Sequence, residues 1–202
     1  MPARPGLARL WAPWRMAWIE PTTAKPRRGR GMKAALAIET DDTGVTEPPC
    51  LFCRVGASRD ERANLVLARR SQALVMLNRY PYNPGHLMVA VLAHKGQFYE
   101  LDAMERADLL ELTALAERAL AAEYRPHGIN YGANVGRVAG AGFPGHLHLH
   151  LVPRWNGDTN FMPVVGETRV LPESLASTWR RLRLAIRALD RDKRSARGAR
   201  KE

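Results

Sequence analysis

The chain has 202 residues and a mass of 22.6 kDa, with 46% apolar and 25% charged residues, the composition of one ordinary globular domain able to bury a core. No run approaches the roughly 18 apolar residues of a membrane helix, which argues against a membrane partner, and two cysteines are too few for a disulfide framework at this length. The net charge of +11 suggests a nucleic-acid binder only until it is placed: residues 1–33 and 179–202 carry +7 each, and residues 34–178 carry −3.

Residues 1–48 read as an N-terminal extension, basic between Lys25 and Lys33 and bearing Trp11, Trp14 and Trp18. Its first 33 residues lack serine, and three tryptophans are large groups that dock on something, both against a transit peptide. No apolar run follows the first basic residues, so a secretory signal is absent from this reading and the chain is expected in the cytoplasm. Solvated ends are the ordinary reading of the charge blocks, with a polyanion-attracting arm as the alternative.

Past Pro48-Pro49 the pattern becomes regular. Residues 65–68 and 73–77 are expected as short strands around the turn Arg69-Arg70-Ser71. The cluster Tyr80-Pro81-Tyr82-Asn83-Pro84-Gly85 is a loop by its turn chemistry, and residues 86–92 are apolar enough for a buried strand. Asp102 opens a long helix, with Glu105 three residues on at capping-box spacing. Leu109, Leu112, Ala116, Ala119 and Leu120 form its apolar stripe, and Pro126 marks its end. Residues 129–135 are a strand candidate, glycines loosen the next link, residues 146–152 are a strand, and residues 179–189 form an amphipathic helix with a basic face. Strands adjoining in sequence, interrupted by one long helix, predict an α+β domain on an antiparallel sheet over residues 49–190, followed by a basic tail at 191–202.

The chemistry concentrates in Gly145-His146-Leu147-His148-Leu149-His150-Leu151-Val152-Pro153-Arg154. Alternate side chains of a strand share a face, so His146, His148 and His150 stand together, opposite Leu147, Leu149 and Leu151. Three of the chain's six histidines on one face point to a metal site, a phosphate site or nucleophilic catalysis. Cys50-Leu51-Phe52-Cys53 is the only cysteine pair: half a zinc site, a redox pair or two buried thiols.

His146 to Val152 resembles the signature of the histidine-triad family. Leu10 to Arg15, Leu77 to Val89 and Pro153 to Phe161 are similar to its bacterial branch related to diadenosine tetraphosphate phosphorylases, and the likeness spans about residues 7–185. The resemblance implies the family's antiparallel sheet with one long helix and a C-terminal helix, dimerising through that sheet and helix. It implies transfer or hydrolysis at the α-phosphorus of a dinucleoside polyphosphate or related adenylyl compound, phosphorolysis favoured, with inorganic phosphate or water as acceptor. His148 would attack phosphorus, a backbone carbonyl fixing its tautomer, and His150 would supply charge to phosphate and leaving group. Asn78 matches a ribose-binding position, Leu51, Phe52 and Met76 match base-pocket positions that could equally be core, and Asn134, Gly136, Gly140 and Gly142 match a phosphate-facing loop. Gly142 departs from the pattern, since many members carry Gln, Ser or Thr there. Cys50, Cys53, His94 and His146 would hold a structural zinc, and no organic cofactor is implied. His86 and His127 are left as structural or surface residues. The other readings are an adenosine phosphoramidate hydrolase, or a nucleotide- or nucleic-acid-binding module without turnover; a catalytic middle of −3 argues against nucleic acid as the partner.

Overall fold

The computed structural model describes residues 50–158 and 173–198, with side chains to residue 192. The tryptophans of the N-terminal extension, residues 159–161 of the matched flank and the last residues of the basic tail lie outside the described residues.

In chain order the elements are helix α1 (Leu51–Ala57), strands β1 (Val66–Arg69), β2 (Ala73–Leu77) and β3 (Leu87–Val91), a 3-10 turn (Phe98–Glu100), helix α2 (Ala103–Tyr124), strands β4 (Gly128–Gly132) and β5 (His148–Arg154), and helix α3 (Leu175–Gly198). The strands form one antiparallel sheet in the order β1-β2-β3-β5-β4. All five residues of β2 and of β3 are buried, because both faces of the sheet are covered, and this explains their unbroken apolar runs.

Helices α2 and α3 pack on one face. Leu109, Leu112, Ala116 and Leu120 of α2 and Leu182 and Ile186 of α3 meet Val75, Leu77, Leu87, Val89 and Leu151 of the sheet. The smaller layer on the other face joins Phe52 and Val55 of α1 to Val66, Leu74, Met76, Met88 and Ala90. At its N-terminus α2 has the expected capping box: the Glu105 amide donates to Asp102 Oδ1 at 2.9 Å, and the Asp102 amide donates to Glu105 Oε2 at 2.8 Å. It ends with Arg125 in the left-handed region at φ 44°, the residue before Pro126, where a proline disfavours continued helix.

Several elements differ from the sequence expectation. Strand β4 stops at Gly132, where its pairing with β5 ends opposite His150, so residues 133–135 lie outside the sheet. Strand β5 begins at His148: the His146 amide closes a turn onto the Phe143 carbonyl at 3.1 Å, and the Leu147 amide donates to the Lys95 carbonyl at 2.7 Å. Helix α3 starts before residue 179 and runs to Gly198, past its expected end at 189, its first turn anchored by Glu173, which accepts from Ser177 Oγ, Thr178 Oγ1 and Tyr124 Oη. Helix α1 has no counterpart in the sequence reading, since its N-cap Cys50 makes no side-chain cap and its seven residues include a glycine and a valine.

Candidate active site and metal centre

The register explains which groups meet. His150 lies opposite Met88 and Met88 opposite Met76; His148 lies opposite Ala90 and Ala90 opposite Leu74. These rows belong to the α1 face of the sheet, so alternation delivers the histidines to the smaller layer and the intervening leucines Leu147 and Leu151 to the larger one. Phe52 lies over the triad, its ring centroid 4.5 Å from His148 and 5.1 Å from His146. Helix α1 therefore covers the face that carries the histidines.

His148 is 5% exposed. Its Nδ1 lies 2.8 Å from the His146 carbonyl; a carbonyl only accepts, so Nδ1 carries the proton and the lone pair is left on Nε2. Burial pushes its pKa down, and the hydrogen bond to the His146 carbonyl opposes that only in part. A neutral imidazole of defined tautomer with a free electron pair is the nucleophilic form.

His146 is turned the other way. Its Nε2 lies 2.8 Å from the Val91 carbonyl and must donate to it, which directs the Nδ1 lone pair at Cys50 Sγ, 3.3 Å away, and Cys53 Sγ, 3.6 Å away. His94 Nδ1 is 3.2 Å from Cys53 Sγ, and the four donor atoms all lie within 4.8 Å of one another. A tetrahedral zinc with Zn–S near 2.3 Å and Zn–N near 2.0 Å sets donor–donor edges of about 3.3–3.8 Å. The donor set, its spacing and the tautomer of His146 fit that ion. Glycine is required beside it, because a Cβ at Gly145 would stand 2.9 Å from His94 Nε2.

His86, read from the sequence as a structural or surface residue, is brought against the histidines of β5. It is 1% exposed, and its Nδ1 accepts from the Tyr82 amide at 3.1 Å. Its proton is thereby placed on Nε2, 2.9 Å from His150 Nδ1, and His150 in turn carries its own proton on Nε2. Burial pushes the His150 pKa down to about 4, with the neighbouring His148 ring adding to the effect. His150 thus presents a neutral ring with its N–H on Nε2. Strand parity carried the missing signal: His86, Met88 and Ala90 alternate on the face that also holds His148 and His150. Of the other histidines, His127 accepts the Asn156 amide at 3.0 Å.

The remaining predicted positions divide. Phe52 and Met76 are buried at 1% and 4% exposure beside the histidines, and Leu51 packs against the same layer half-buried. Asn78 closes the end of β2: its Oδ1 accepts the Tyr80 amide at 2.8 Å and its own amide donates to the His86 carbonyl at 3.0 Å. In the glycine-rich link, Asn134 Nδ2 donates to the Gly140 carbonyl, and the Gly140 and Ala141 amides donate to the carbonyls of Arg137 and Gly136. Those two amides close the loop on itself instead of facing outward. Gly136 has φ +84°, and Gly142 is exposed with open space where a Cβ would stand.

Comparison with known proteins agrees with this geometry. The HIT domain model matches residues 59–157. A protein of Mycobacterium tuberculosis named AP-4-A phosphorylase is 37% identical over 179 residues, covering 89% of this chain and 84% of the relative. An uncharacterised HIT-like protein of Saccharolobus solfataricus is 27% identical over 117 residues, 56% of this chain and 79% of its own length. Among solved structures, a Zn-bound histidine triad family protein of Mycobacterium smegmatis superposes with a TM-score of 0.57 at 23% identity, covering 71% of this chain and 97% of that one. A histidine triad nucleotide-binding protein of Sulfolobus tokodaii superposes with a TM-score of 0.55 at 24% identity, covering 70% and 95%. With its triad running into β5, its antiparallel sheet and a relative at this identity over most of both chains, the protein belongs to the histidine-triad (HIT) family.

Proposed function

We propose that this protein transfers a nucleotidyl group from a dinucleoside polyphosphate, most simply diadenosine tetraphosphate, to inorganic phosphate by way of a nucleotidyl-His148 intermediate. The observation that carries the reading is the pair of ring tautomers on β5: His148 keeps Nε2 unprotonated while His150 keeps Nε2 protonated, their centroids 5.0 Å apart. One nitrogen attacks and the next donates. The His148 electron pair forms the N–P bond as the bond from the α-phosphorus to the bridging oxygen breaks, and that oxygen leaves on ATP. His150 donates a hydrogen bond to the oxygens on which charge accumulates, and a bound polyanion raises its pKa. Phosphate then attacks the same phosphorus, the N–P bond breaks, and ADP is released. The 37% identical relative named AP-4-A phosphorylase supports this choice of substrate.

Leu51, Phe52 and Met76 are assigned to the base end of the site, Asn78 to the ribose, and Asn134, Gly136 and Gly142 to the phosphates. Cys50, Cys53, His94 and His146 would hold a structural zinc that cross-links α1 to β5. We assign a homodimer as the working assembly, because the edge strand β4 exposes Tyr131 and α2 exposes Leu110, 48% and 62% respectively.

The test is incubation of diadenosine tetraphosphate with and without inorganic phosphate. ADP and ATP in equal amounts, formed only with phosphate, are expected; AMP and ATP without phosphate would replace phosphorolysis by hydrolysis. His148→Ala should lose turnover and keep AMP binding. Turnover persisting in that variant would overturn the covalent mechanism.

A further inference from the structure

We propose that the ring of Tyr82 is a stacking platform for the second nucleobase of a dinucleoside polyphosphate, the base that departs with the leaving group. This inference rests on the nucleotidyl-transfer reading and adds to it a subsite at the opposite end of the triad from the apolar layer of α1.

The ring contacts along the site run in one order. Phe52 lies 4.5 Å from His148, His148 5.0 Å from His150, and His150 6.4 Å from Tyr82, whose plane is within 27° of parallel to it. With one nucleoside at the Phe52 end and attack at His148, the departing phosphates pass His150, and the next aromatic ring they reach is Tyr82. That ring is 51% exposed although it packs at 4.7 Å on buried His86. It is an accessible surface on a fixed backing.

The loop that carries Tyr82 is held in place rather than left to find its position on binding. Its amide is bonded to His86 Nδ1, and Asn83 Nδ2 donates to the Pro153 carbonyl at 2.8 Å and to Asp158 Oδ2 at 2.9 Å. Asp158 is gripped by Arg154 through Nε at 2.6 Å and NH2 at 2.9 Å, and accepts the Trp155 amide as well. Pro81 and Pro84 restrict φ on either side of Tyr82, and Gly85 takes φ +80° where a Cβ would meet Leu120 at 3.0 Å. A base stacks on such a ring without regard to its identity, because every base has a π-face.

Diadenosine tetraphosphate and adenosine 5′-tetraphosphate present the same α-phosphorus and the same number of phosphates; only the first carries a second base. Attack at the α-phosphorus releases ATP from one and triphosphate from the other, with ADP formed from both when phosphate is the acceptor. The measurement is the ratio of kcat/KM on these two substrates at one phosphate concentration. In Tyr82→Ala that ratio should fall roughly tenfold, within the range found when one stacking base partner is removed. In Tyr82→Phe and Tyr82→Trp it should stay near the parent value. Tyr82→Leu, which keeps apolar bulk without a π-face, should follow Tyr82→Ala and serves if the alanine variant folds poorly. An equal fall on both substrates would overturn the subsite and make Tyr82 a support for His86 and His150. An unchanged ratio in both Tyr82→Ala and Tyr82→Leu would overturn it too. Parent protein that cleaves neither compound refutes the nucleotidyl-transfer reading itself, a different failure from an altered ratio.

Discussion

At the scale of single residues, the site is governed by where three protons sit. His148 and His146 are neighbours on one face, yet one donates from Nδ1 and the other from Nε2, because each faces a different backbone carbonyl. His150 takes its tautomer from a fourth histidine, His86. Replacing His86 by Ala removes the donor to His150 Nδ1, so kcat should fall roughly 10–100-fold, the range for outer partners that orient a working histidine, while KM changes little. His86→Asn, which keeps an N–H donor, should recover part of the rate; equal loss in both variants would make His86 a packing residue only. The depressed pKa of His150 has a second consequence. Between the ordinary value of 6.5 and about 4, the unfolded chain binds a proton here that the folded chain does not. Stability therefore falls as pH drops through that window, and this contribution is absent above it. Denaturation midpoints measured from pH 7 to pH 4 should show His150→Gln gaining on the parent as pH falls; a constant difference would sink the assignment. Triad spacing was legible in the sequence because alternation acts between residues two apart. The His86–His150 bond was not, since its partners are 64 residues apart.

At the scale of elements, the loops that enter and leave strands do much of the positioning. Gly145 precedes β5 with His94 where a Cβ would stand, and the far side of that ring faces Cys53 at 3.2 Å. Gly145→Ala leaves His94 no retreat, so zinc affinity should weaken roughly tenfold or more, read by chelator competition. Metal retained at parental affinity would show that the ring can shift. The edge strand β1 is protected by α3: Trp179 Nε1 donates to the Val66 carbonyl at 2.9 Å, and Arg183 NH1 donates to the carbonyls of Val66 and Leu67 at 3.0 Å each. Arg183→Met keeps most of the stem and loses these charged donors, which should lower the unfolding free energy by about 1.5–3 kcal/mol with little effect on turnover. The strands 73–77 and 87–91 and the capped helix α2 were legible because unbroken apolar runs, helical periodicity and caps are local signals. Helix α1 was not, because it is held by burial of Phe52 and Val55 against the sheet instead of by its own propensity.

At the scale of the molecule, one cluster of side chains brings the pieces together. Cys50 and Cys53 belong to the α1 end of the smaller layer, His94 follows β3, and His146 precedes β5, so a metal held at their centre would tie α1 to β5. Chelation of the metal-loaded protein should lower Tm and slow turnover, and a Cys50→Ser, Cys53→Ser variant should be insensitive to the chelator. An unchanged Tm in the parent would show that the sheet alone holds α1. Dimerisation through the exposed β4 and α2 surfaces should give a solution mass of twice 22.6 kDa by light scattering. Among the described residues no helix is long and apolar enough to cross a membrane.

The sequence by itself determined the α+β class, most of the strands, the capped helix and the side of β5 on which the histidines stand. It also paired the cysteines with His94 and His146, through the family resemblance. The first four follow from period, spacing or motif along the chain. Only the tertiary structure decided that Phe52 roofs the triad, that His86 hands His150 its tautomer, that Tyr82 borders the site and that His146 aims Nδ1 at the cysteines. Those are contacts between residues tens of positions apart, fixed by sheet register and burial. No local pattern encodes them, because their strength depends on which surfaces the folded chain removes from water.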